Sequence, residues 1–186
     1  RDRIRVVADE CFLRFHPHYE KMSCKRFLKQ YPNLLIVNAF TKFYAMAGLR
    51  LGYLMTGDLS LLHAVAQQLP EWNVSSIAQR AGISALKDTE YEKRTRQLIE
   101  KERRYLIQEF LKMGCTVFPS EADYITFRLP QEKTGFLLKE RLLEGKILIR
   151  SCANYRNMPP DCYRIAVKQH ADNEELVRQV WRILIQ

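Results

Sequence analysis

A lysine, a hydroxyl group and an arginine lie close together in the first third of the chain. Residues 34–37 form a continuous apolar run, which predicts a strand covered on both faces, and Thr41 and Lys42 follow it within a few residues. Arg50 comes eight residues after Lys42, in a glycine-containing segment. A primary amine can attack a carbonyl group, and a planar guanidinium matches the oxygens of a phosphate. The three side chains suggest a phosphorylated carbonyl cofactor held covalently through Lys42, although an ordinary surface lysine and a structural arginine would give the same pattern.

A carboxylate follows the first apolar run of the chain. Residues 4–8 predict a strand, and Asp9 comes directly after them. A protonated pyridine nitrogen makes an aromatic ring an electron sink, and a carboxylate beside that nitrogen keeps the proton in place. Taken alone, Asp9 would be better explained as the cap of a turn.

Two arginines lie inside apolar runs near the end of the chain. Arg150 ends the run 147–149, and Arg164 lies fourteen residues later in a second predicted strand. A buried guanidinium is costly unless an anion accompanies it. The pair indicates either a substrate with two anionic groups or two internal salt bridges.

Residues 38–53 read Asn-Ala-Phe-Thr-Lys-Phe-Tyr-Ala-Met-Ala-Gly-Leu-Arg-Leu-Gly-Tyr. This stretch resembles the lysine signature of the class I/II aminotransferases, which depend on pyridoxal 5'-phosphate (PLP) and have fold type I. The resemblance implies that Lys42 is the catalytic residue that carries PLP and that Thr41 and Arg50 hold the cofactor phosphate. It also implies that Asp9 faces the ring nitrogen, because residues 6–12 resemble the Asp-Glu segment of the same family.

Within this family, residues 147–155, Ile-Leu-Ile-Arg-Ser-Cys-Ala-Asn-Tyr, are most similar to the threonine-phosphate decarboxylases of cobalamin biosynthesis. The resemblance implies that Arg164 binds the substrate carboxylate and Arg150 the substrate phosphate. The implied reaction is decarboxylation of L-threonine O-3-phosphate by a homodimer. An aminotransferase of the histidinol-phosphate type is the alternative enzyme.

Three positions depart from the family pattern. Ala39 stands where a serine or threonine usually contacts the cofactor phosphate, Phe12 where many relatives have a tyrosine, and Asn38 where an arginine is common. The family is also about twice as long, and its other half carries the Gly-rich loop for the phosphate. PLP binding by these 186 residues alone is therefore expected to be weak.

The expected fold is α/β. The resemblance implies that residues 1–90 belong to the large PLP-binding domain, with a mixed sheet flanked by helices, and that residues 91–114 form a long interdomain helix. Residues 115–186 are expected to form a small α+β domain.

Further strands are predicted at residues 51–55, 116–118, 124–129, 147–151 and 163–168, and helices at 59–68, from 75 onward, at 89–113 and near 135–143. Leu98, Tyr105, Ile107 and Leu111 are assigned to the apolar face of the long helix, Gly114 to its C-cap, and Asp172 to the N-cap of a last helix.

The net charge of +9 has two explanations. Many basic residues lie between 87 and 104 and alternate with glutamates, which is typical of a solvated helix face; a non-catalytic module that binds nucleic acid is the competing interpretation.

Five widely spaced cysteines favour reduced thiols over disulfides or a metal site. The apolar runs are too short to span a bilayer, so we expect a cytoplasmic protein with no membrane or nucleic-acid partner.

Overall fold

In a computed structural model, which describes residues 4–133 and 137–185, the chain forms two compact units. The first contains the described residues up to Thr95 and the second contains those from Arg96 onward. The boundary falls inside helix α4, Thr89–Lys112, which is 24 residues long. The chain is mixed α/β, as the sequence predicts.

The first unit contains a three-stranded mixed sheet. Its strands are β1 (Val6–Asp9), β2 (Leu34–Ala39) and β3 (Gly52–Thr56), in that spatial order. Strand β1 pairs with β2 in parallel, and β3 pairs with β2 in the antiparallel direction. The central strand is the buried one, as expected for a continuous apolar run, and its Ile36 is inaccessible to solvent.

The connection between the two parallel strands is fixed by a buried carboxylate. It contains two short 3-10 turns and the one-turn helix α1, Tyr19–Met22. Glu10 accepts hydrogen bonds from the Ser23 hydroxyl at 2.8 Å and from the Cys24 amide at 2.7 Å. Because a buried carboxylate without donors would be costly, these bonds tie the far end of the connection to the end of β1.

Three helices of this unit begin at side-chain caps that the sequence provides. Helix α2, Leu59–Gln68, is capped by Asp58, whose carboxylate accepts from the Leu61 amide at 3.0 Å. Ser75 caps helix α3, Ser76–Ala85, in the same way. Asp88 accepts from the third residue of α4 at 2.8 Å. Each cap satisfies an amide that the helix itself leaves unpaired.

The second unit packs two helices with a four-stranded antiparallel sheet. Its strands are β4 (Thr116–Val117), β5 (Tyr124–Arg128), β6 (Arg150–Ser151) and β7 (Cys162–Ala166), in the order β4-β5-β7-β6. Its helices are α5 (Leu138–Glu144) and α6 (His170–Ile185). The buried residues of α6 lie at helical spacing, and they include Leu176, Val177, Val180 and Leu184.

Two predicted boundaries in this unit need correction. Strand β6 covers only the last two residues of the predicted run 147–151. Helix α6 begins at His170, so Asp172 lies in its first turn and is not its N-cap. Helix α5 begins at Leu138, and the predicted start near residue 135 lies outside the described residues.

The apolar face assigned to α4 was also wrong in part. Leu98 is 40% exposed and Leu111 is 54% exposed, whereas Ile99, Leu106 and Phe110 are buried. The buried face also includes charged residues, which a count of apolar positions cannot assign. The helix ends at Lys112, one residue before the predicted end, and the predicted cap residue Gly114 follows it with a φ of 79°, which is favourable only for glycine.

Glu102 on α4 is the most deeply buried charged residue of the second unit, with 1% of its surface exposed. Its Oε2 accepts from the Asn173 amide at 3.0 Å and lies 3.0 Å from Nδ1 of His170. Burial by itself would raise the pKa of Glu102, but the hydrogen bonds from Asn173 and His170 outweigh it, and the pKa is lowered. The carboxylate is therefore ionised at neutral pH, and it joins α4 to the start of α6.

We expect this carboxylate to make the second unit sensitive to acid. A pKa that is lower in the folded state contributes stability above the unfolded value, and that stability is lost as the pH falls through the folded value. Glu102→Gln should lower the free energy of unfolding by about 1–3 kcal/mol at pH 7. It should also reduce the amount by which that free energy falls between pH 6 and pH 3. Denaturant unfolding followed by tryptophan fluorescence in a Trp72→Phe background, in which Trp181 on α6 is the remaining tryptophan, measures both quantities.

Glu174→Gln is the matched control for that experiment. Its carboxylate also contacts His170, at 3.3 Å, but is 59% exposed, so the change should cost about 0.5 kcal/mol or less. An unchanged acid dependence in the Glu102 variant would show that other groups cause it.

Candidate cofactor and substrate site

Three of the predicted site residues lie at one edge of the first sheet: the candidate catalytic residue Lys42 and the charged candidates for cofactor binding, Asp9 and Arg50. Asp9 is the last residue of β1, and Lys42 follows three residues after the end of β2 at Ala39. Since these strands are parallel, their carboxyl ends meet at the same edge. Strand β3 runs the other way and begins opposite Ala39, so Arg50, two residues before it, lies at that edge too.

Asp9 is held by the turn that follows it. Its Oδ1 accepts from the backbone amide of Cys11 at 2.9 Å. A hydrogen bond from the Cys11 thiol, and then the bond from the amide, lower the pKa of Asp9. The side chain is an exposed, ionised carboxylate, which is the state needed to keep a proton on a ring nitrogen.

The Cys11 thiol is influenced by both Asp9 and Lys42. Burial raises the pKa of Cys11 to about 11, and the hydrogen bond to Asp9 and the charge of that carboxylate act in the same direction. The ammonium group of Lys42 acts on the same thiol in the opposite direction. A carboxylate and an amine therefore lie within electrostatic range of one sulfur atom.

Lys42 lies on a tight loop with its side chain exposed. Its Nζ is 5.4 Å from the centre of the Phe12 ring, and its carbonyl oxygen accepts from the Ala45 amide at 3.0 Å. Among the described residues, no carboxylate forms an ion pair with it. Phe43 and Tyr44, the next two residues, are buried and anchor the loop. The amine is accessible, and it lies beside an aromatic ring.

Arg50 occupies a conformation that non-glycine residues seldom adopt. Its φ is 52° and its ψ is 40°, in the left-handed region. The side chain is exposed, and its Nη1 donates to the Ala47 carbonyl oxygen at 3.1 Å. Most of its five N–H groups are left for another acceptor. Thr41, the other residue predicted to contact the cofactor phosphate, is half-buried on the same loop as Lys42.

In the second unit, the two predicted substrate arginines are direct neighbours. Arg150 on β6 lies opposite Arg164 on β7 in the register of the sheet. Residues opposite one another share a face, and like charges in that arrangement repel. Both guanidinium groups act on the buried Cys152: its burial raises the pKa of the thiol, and the two arginines oppose that change.

Aromatic rings support both arginines, and no carboxylate within the described chain pairs with either. The Arg164 guanidinium lies 4.8 Å from the centre of the Tyr124 ring. Arg150 lies 5.6 Å from the Tyr155 ring and donates to the Asn154 side chain at 3.4 Å. The described residues therefore contain neither of the two internal salt bridges of the alternative interpretation. Two adjacent cations on one sheet face favour an anion that both can bind.

Sequence analysis missed one cluster beside the lysine loop. Arg14, Tyr44 and Glu92 contact one another, although they come from the turn after β1, the Lys42 loop and the first turn of α4. The members are 30 to 78 residues apart in sequence, so no spacing pattern links them.

The residues of the first sheet edge fit PLP. The edge provides an ionised carboxylate, an amine with no carboxylate partner among the described residues, and a guanidinium with N–H groups to spare. These are the groups that a protonated ring nitrogen, an aldehyde and a phosphate require.

Comparison with known proteins supports this interpretation. A model of the family described as aminotransferase class I and II matches residues 1–180. The threonine-phosphate decarboxylase of Salmonella typhimurium is 35% identical over 182 residues, which are 97% of this chain and 49% of that protein. The chain thus spans about half the length of the curated relatives that it matches.

Solved structures show the same likeness. The histidinol-phosphate aminotransferase from Clostridium acetobutylicum has a TM-score of 0.90 and 31% identity, and the match covers 99% of this chain and 55% of that one. The histidinol-phosphate aminotransferase from Sinorhizobium meliloti, solved in complex with pyridoxal-5'-phosphate, shares the fold at a TM-score of 0.87 and 22% identity, over 97% of this chain and 49% of that one. The chain belongs to the class I and II aminotransferase family of PLP-dependent enzymes.

Proposed function

We propose that the complete protein decarboxylates L-threonine O-3-phosphate, as a homodimer that serves cobalamin biosynthesis in the cytoplasm. The observation that carries the proposal is the pairing of Arg150 with Arg164, two cations on one sheet face without a carboxylate partner among the described residues. A substrate with a carboxylate and a phosphate supplies two anions. The 35% identity to the Salmonella typhimurium decarboxylase supports the same substrate.

In this proposal the two arginines divide the substrate between them. Arg164 is half-buried, and its guanidinium stacks on Tyr124, so it is the more rigid of the two and binds the carboxylate. Arg150 is exposed at the edge strand of the sheet and binds the phosphate. A bidentate guanidinium contact fixes the orientation of each anion as well as its position.

The first unit would hold the cofactor through four residues. Lys42 attaches it covalently, Asp9 holds the proton on the ring nitrogen, and Thr41 and Arg50 bind its phosphate. When bound, PLP would supply an electron sink for the bond that breaks at the substrate Cα. The Asp9 carboxylate supports this by remaining ionised, because its hydrogen bonds to Cys11 lower its pKa.

The choice of reaction depends on which bond at the substrate Cα breaks. Arg164 would fix the orientation of the substrate carboxylate; if the bond to that carboxylate breaks, carbon dioxide is released and the protonated Lys42 side chain would deliver a proton to Cα. If the Cα–H bond breaks instead, the neutral Lys42 amine would accept that proton and the amino group would be transferred. The second outcome is that of a histidinol-phosphate-type aminotransferase. The match to the Clostridium acetobutylicum enzyme, with a TM-score of 0.90, keeps it as the second candidate.

PLP followed by borohydride reduction should label Lys42 in preference to Lys29, an exposed lysine of the same unit. Total labelling should be low, so the ratio of the two sites by peptide mass spectrometry is the quantity to measure. Arg50→Ala should lower the ratio about tenfold, because it removes a charge-assisted bond to the phosphate worth about 1.5–3 kcal/mol. Arg26→Ala, at another exposed arginine, should leave it unchanged. Equal labelling of the two lysines in the unaltered chain would refute the proposed cofactor site.

The complete enzyme should release carbon dioxide from L-threonine O-3-phosphate. We expect little transfer of its amino group to 2-oxoglutarate, since the carboxylate bond is the one aligned. Parallel assays of carbon dioxide and glutamate on one preparation separate the two reactions. Glutamate formation from histidinol phosphate, without release of carbon dioxide from threonine phosphate, would establish the aminotransferase instead.

Substitution of the two arginines should have different effects in the complete enzyme. Arg150→Met should raise KM for the phosphorylated substrate roughly tenfold or more, because a bidentate phosphate contact is lost. Arg164→Met should also lower kcat, since the bond to be broken loses its alignment. Arg156→Met, at an exposed arginine six residues beyond Arg150, is the control and should be neutral. Equal effects of the first two substitutions on KM and kcat would contradict the assigned roles.

A further inference from the structure

Three side chains join the Asp9 turn, the Lys42 loop and helix α4 in one hydrogen-bonded cluster. The Nη1 of Arg14 donates to the Tyr44 hydroxyl at 2.8 Å and to the carboxylate of Glu92. The Tyr44 hydroxyl in turn donates to Oε1 of Glu92 at 2.6 Å. We refer to Arg14, Tyr44 and Glu92 as the loop triad.

The loop triad is largely removed from water. The Glu92 side chain is 12% exposed, the Arg14 side chain is 21% exposed, and Tyr44 is 7% exposed. Burial raises the pKa of the Tyr44 phenol, and its hydrogen bond to Glu92 acts in the same direction, so the phenol remains protonated and able to donate. Ionic hydrogen bonds in such surroundings are stronger than those at a wet surface.

Aromatic packing joins the same segments. The guanidinium carbon of Arg14 lies 5.4 Å from the Tyr44 ring centre, and the Tyr44 ring stacks on that of Tyr91 at 6.1 Å. The Tyr91 hydroxyl donates to the backbone carbonyl oxygen of Phe43 at 3.1 Å. Helix α4 therefore contacts the Lys42 loop through both a side chain and the backbone of the residues that directly follow the lysine.

The position of the triad gives it a consequence for the amine. Arg14 lies five residues after Asp9, and Tyr44 lies two residues after Lys42. A bond between Arg14 and Tyr44 thus sets the distance between the carboxylate segment and the amine segment. Their neighbouring strands set the same distance only as far as Ala39, where β2 ends.

We propose that the loop triad is a positioning device that fixes the Lys42 amine relative to the Asp9 carboxylate, with Glu92 as its central acceptor. None of its members touches the cofactor in this proposal; they act through the backbone of the Lys42 loop. The inference rests on the proposed cofactor role of Lys42. A displacement of about 1 Å in a reacting group can reduce a rate about a hundredfold, so a rigid loop has catalytic value.

Two substitutions test the triad while keeping its packing. Glu92→Gln retains the shape of the side chain, and Tyr44→Phe retains the ring and removes only the hydroxyl. Glu90→Gln is the matched control, because Glu90 lies in the same first turn of α4 but is exposed. It removes the same charge from the helix N-terminus without touching the loop.

Two readouts are measured on each variant of this chain. The first is the ratio of PLP–borohydride labelling at Lys42 to that at Lys29. The second is amide hydrogen exchange in residues 40–46, which needs no cofactor. Glu92→Gln and Tyr44→Phe should lower the labelling ratio at least about fivefold and speed the exchange, whereas Glu90→Gln should change neither. A purely structural role would lower the global stability, measured separately by denaturant unfolding, and would leave the labelling ratio of the folded chain unaltered.

The outcomes separate the two proposals. If the unaltered chain labels Lys42 selectively and the triad variants keep that selectivity and the slow exchange, the positioning role is wrong. If the unaltered chain shows no selectivity, the cofactor role of Lys42 is wrong. Hydrogen exchange then still decides whether the triad holds the loop, because faster exchange confined to residues 40–46 supports it and unchanged exchange overturns it.

Discussion

The parallel pairing of β1 with β2 is the constraint on which the candidate site depends. Parallel strands bring their carboxyl ends to the same edge, and here those ends carry Asp9 and, shortly beyond, Lys42. The antiparallel β3 then returns from that edge, which places Arg50 there as well. An antiparallel pairing of the first two strands would have put the carboxylate and the amine at opposite ends of the sheet. The strand topology therefore brings these three candidate residues to the same edge of the sheet.

The chain uses its carboxylates in two distinct ways. Glu10, Glu92 and Glu102 are buried, and each accepts hydrogen bonds from two or more partners, so they act as fixed joints between segments distant in sequence. Asp9 is exposed, and the hydrogen bonds that it accepts from described residues come from Cys11, two positions further along the chain. A carboxylate that is fully satisfied inside the protein has little capacity left for a ligand. This difference between the buried and the exposed carboxylates explains why Asp9, and not the adjacent Glu10, suits a role toward a cofactor.

Local signals in the sequence predicted the fold to a large extent. Helix α2 has the predicted bounds, and Gly114 ends α4, because caps and glycines act through the nearest few residues. The predicted apolar face of α4 was partly wrong, because Leu98 and Leu111 are exposed. The buried face includes Glu102 instead, whose partners His170 and Asn173 lie 68 and 71 residues away. No sequence pattern indicated the loop triad, because its members are also far apart in the sequence. Long-range polar pairs depend on the tertiary structure, and a hydrophobic pattern does not encode them.

If the arginines on β6 and β7 bind the substrate as proposed, they explain why the lysine signature alone does not determine the reaction. In the proposed function, Lys42 and Asp9 would provide the same chemistry whether the bond to the carboxylate or the bond to hydrogen is broken. What differs is the orientation of the substrate, and two anion contacts at fixed separation restrict rotation about Cα in a way that one contact does not. Arg150 and Arg164 are held at the separation of a cross-strand pair, and Tyr155 and Tyr124 support their guanidinium groups. Under the proposed assignment, the choice of reaction is therefore a property of the second unit, and the capacity for the chemistry is a property of the first.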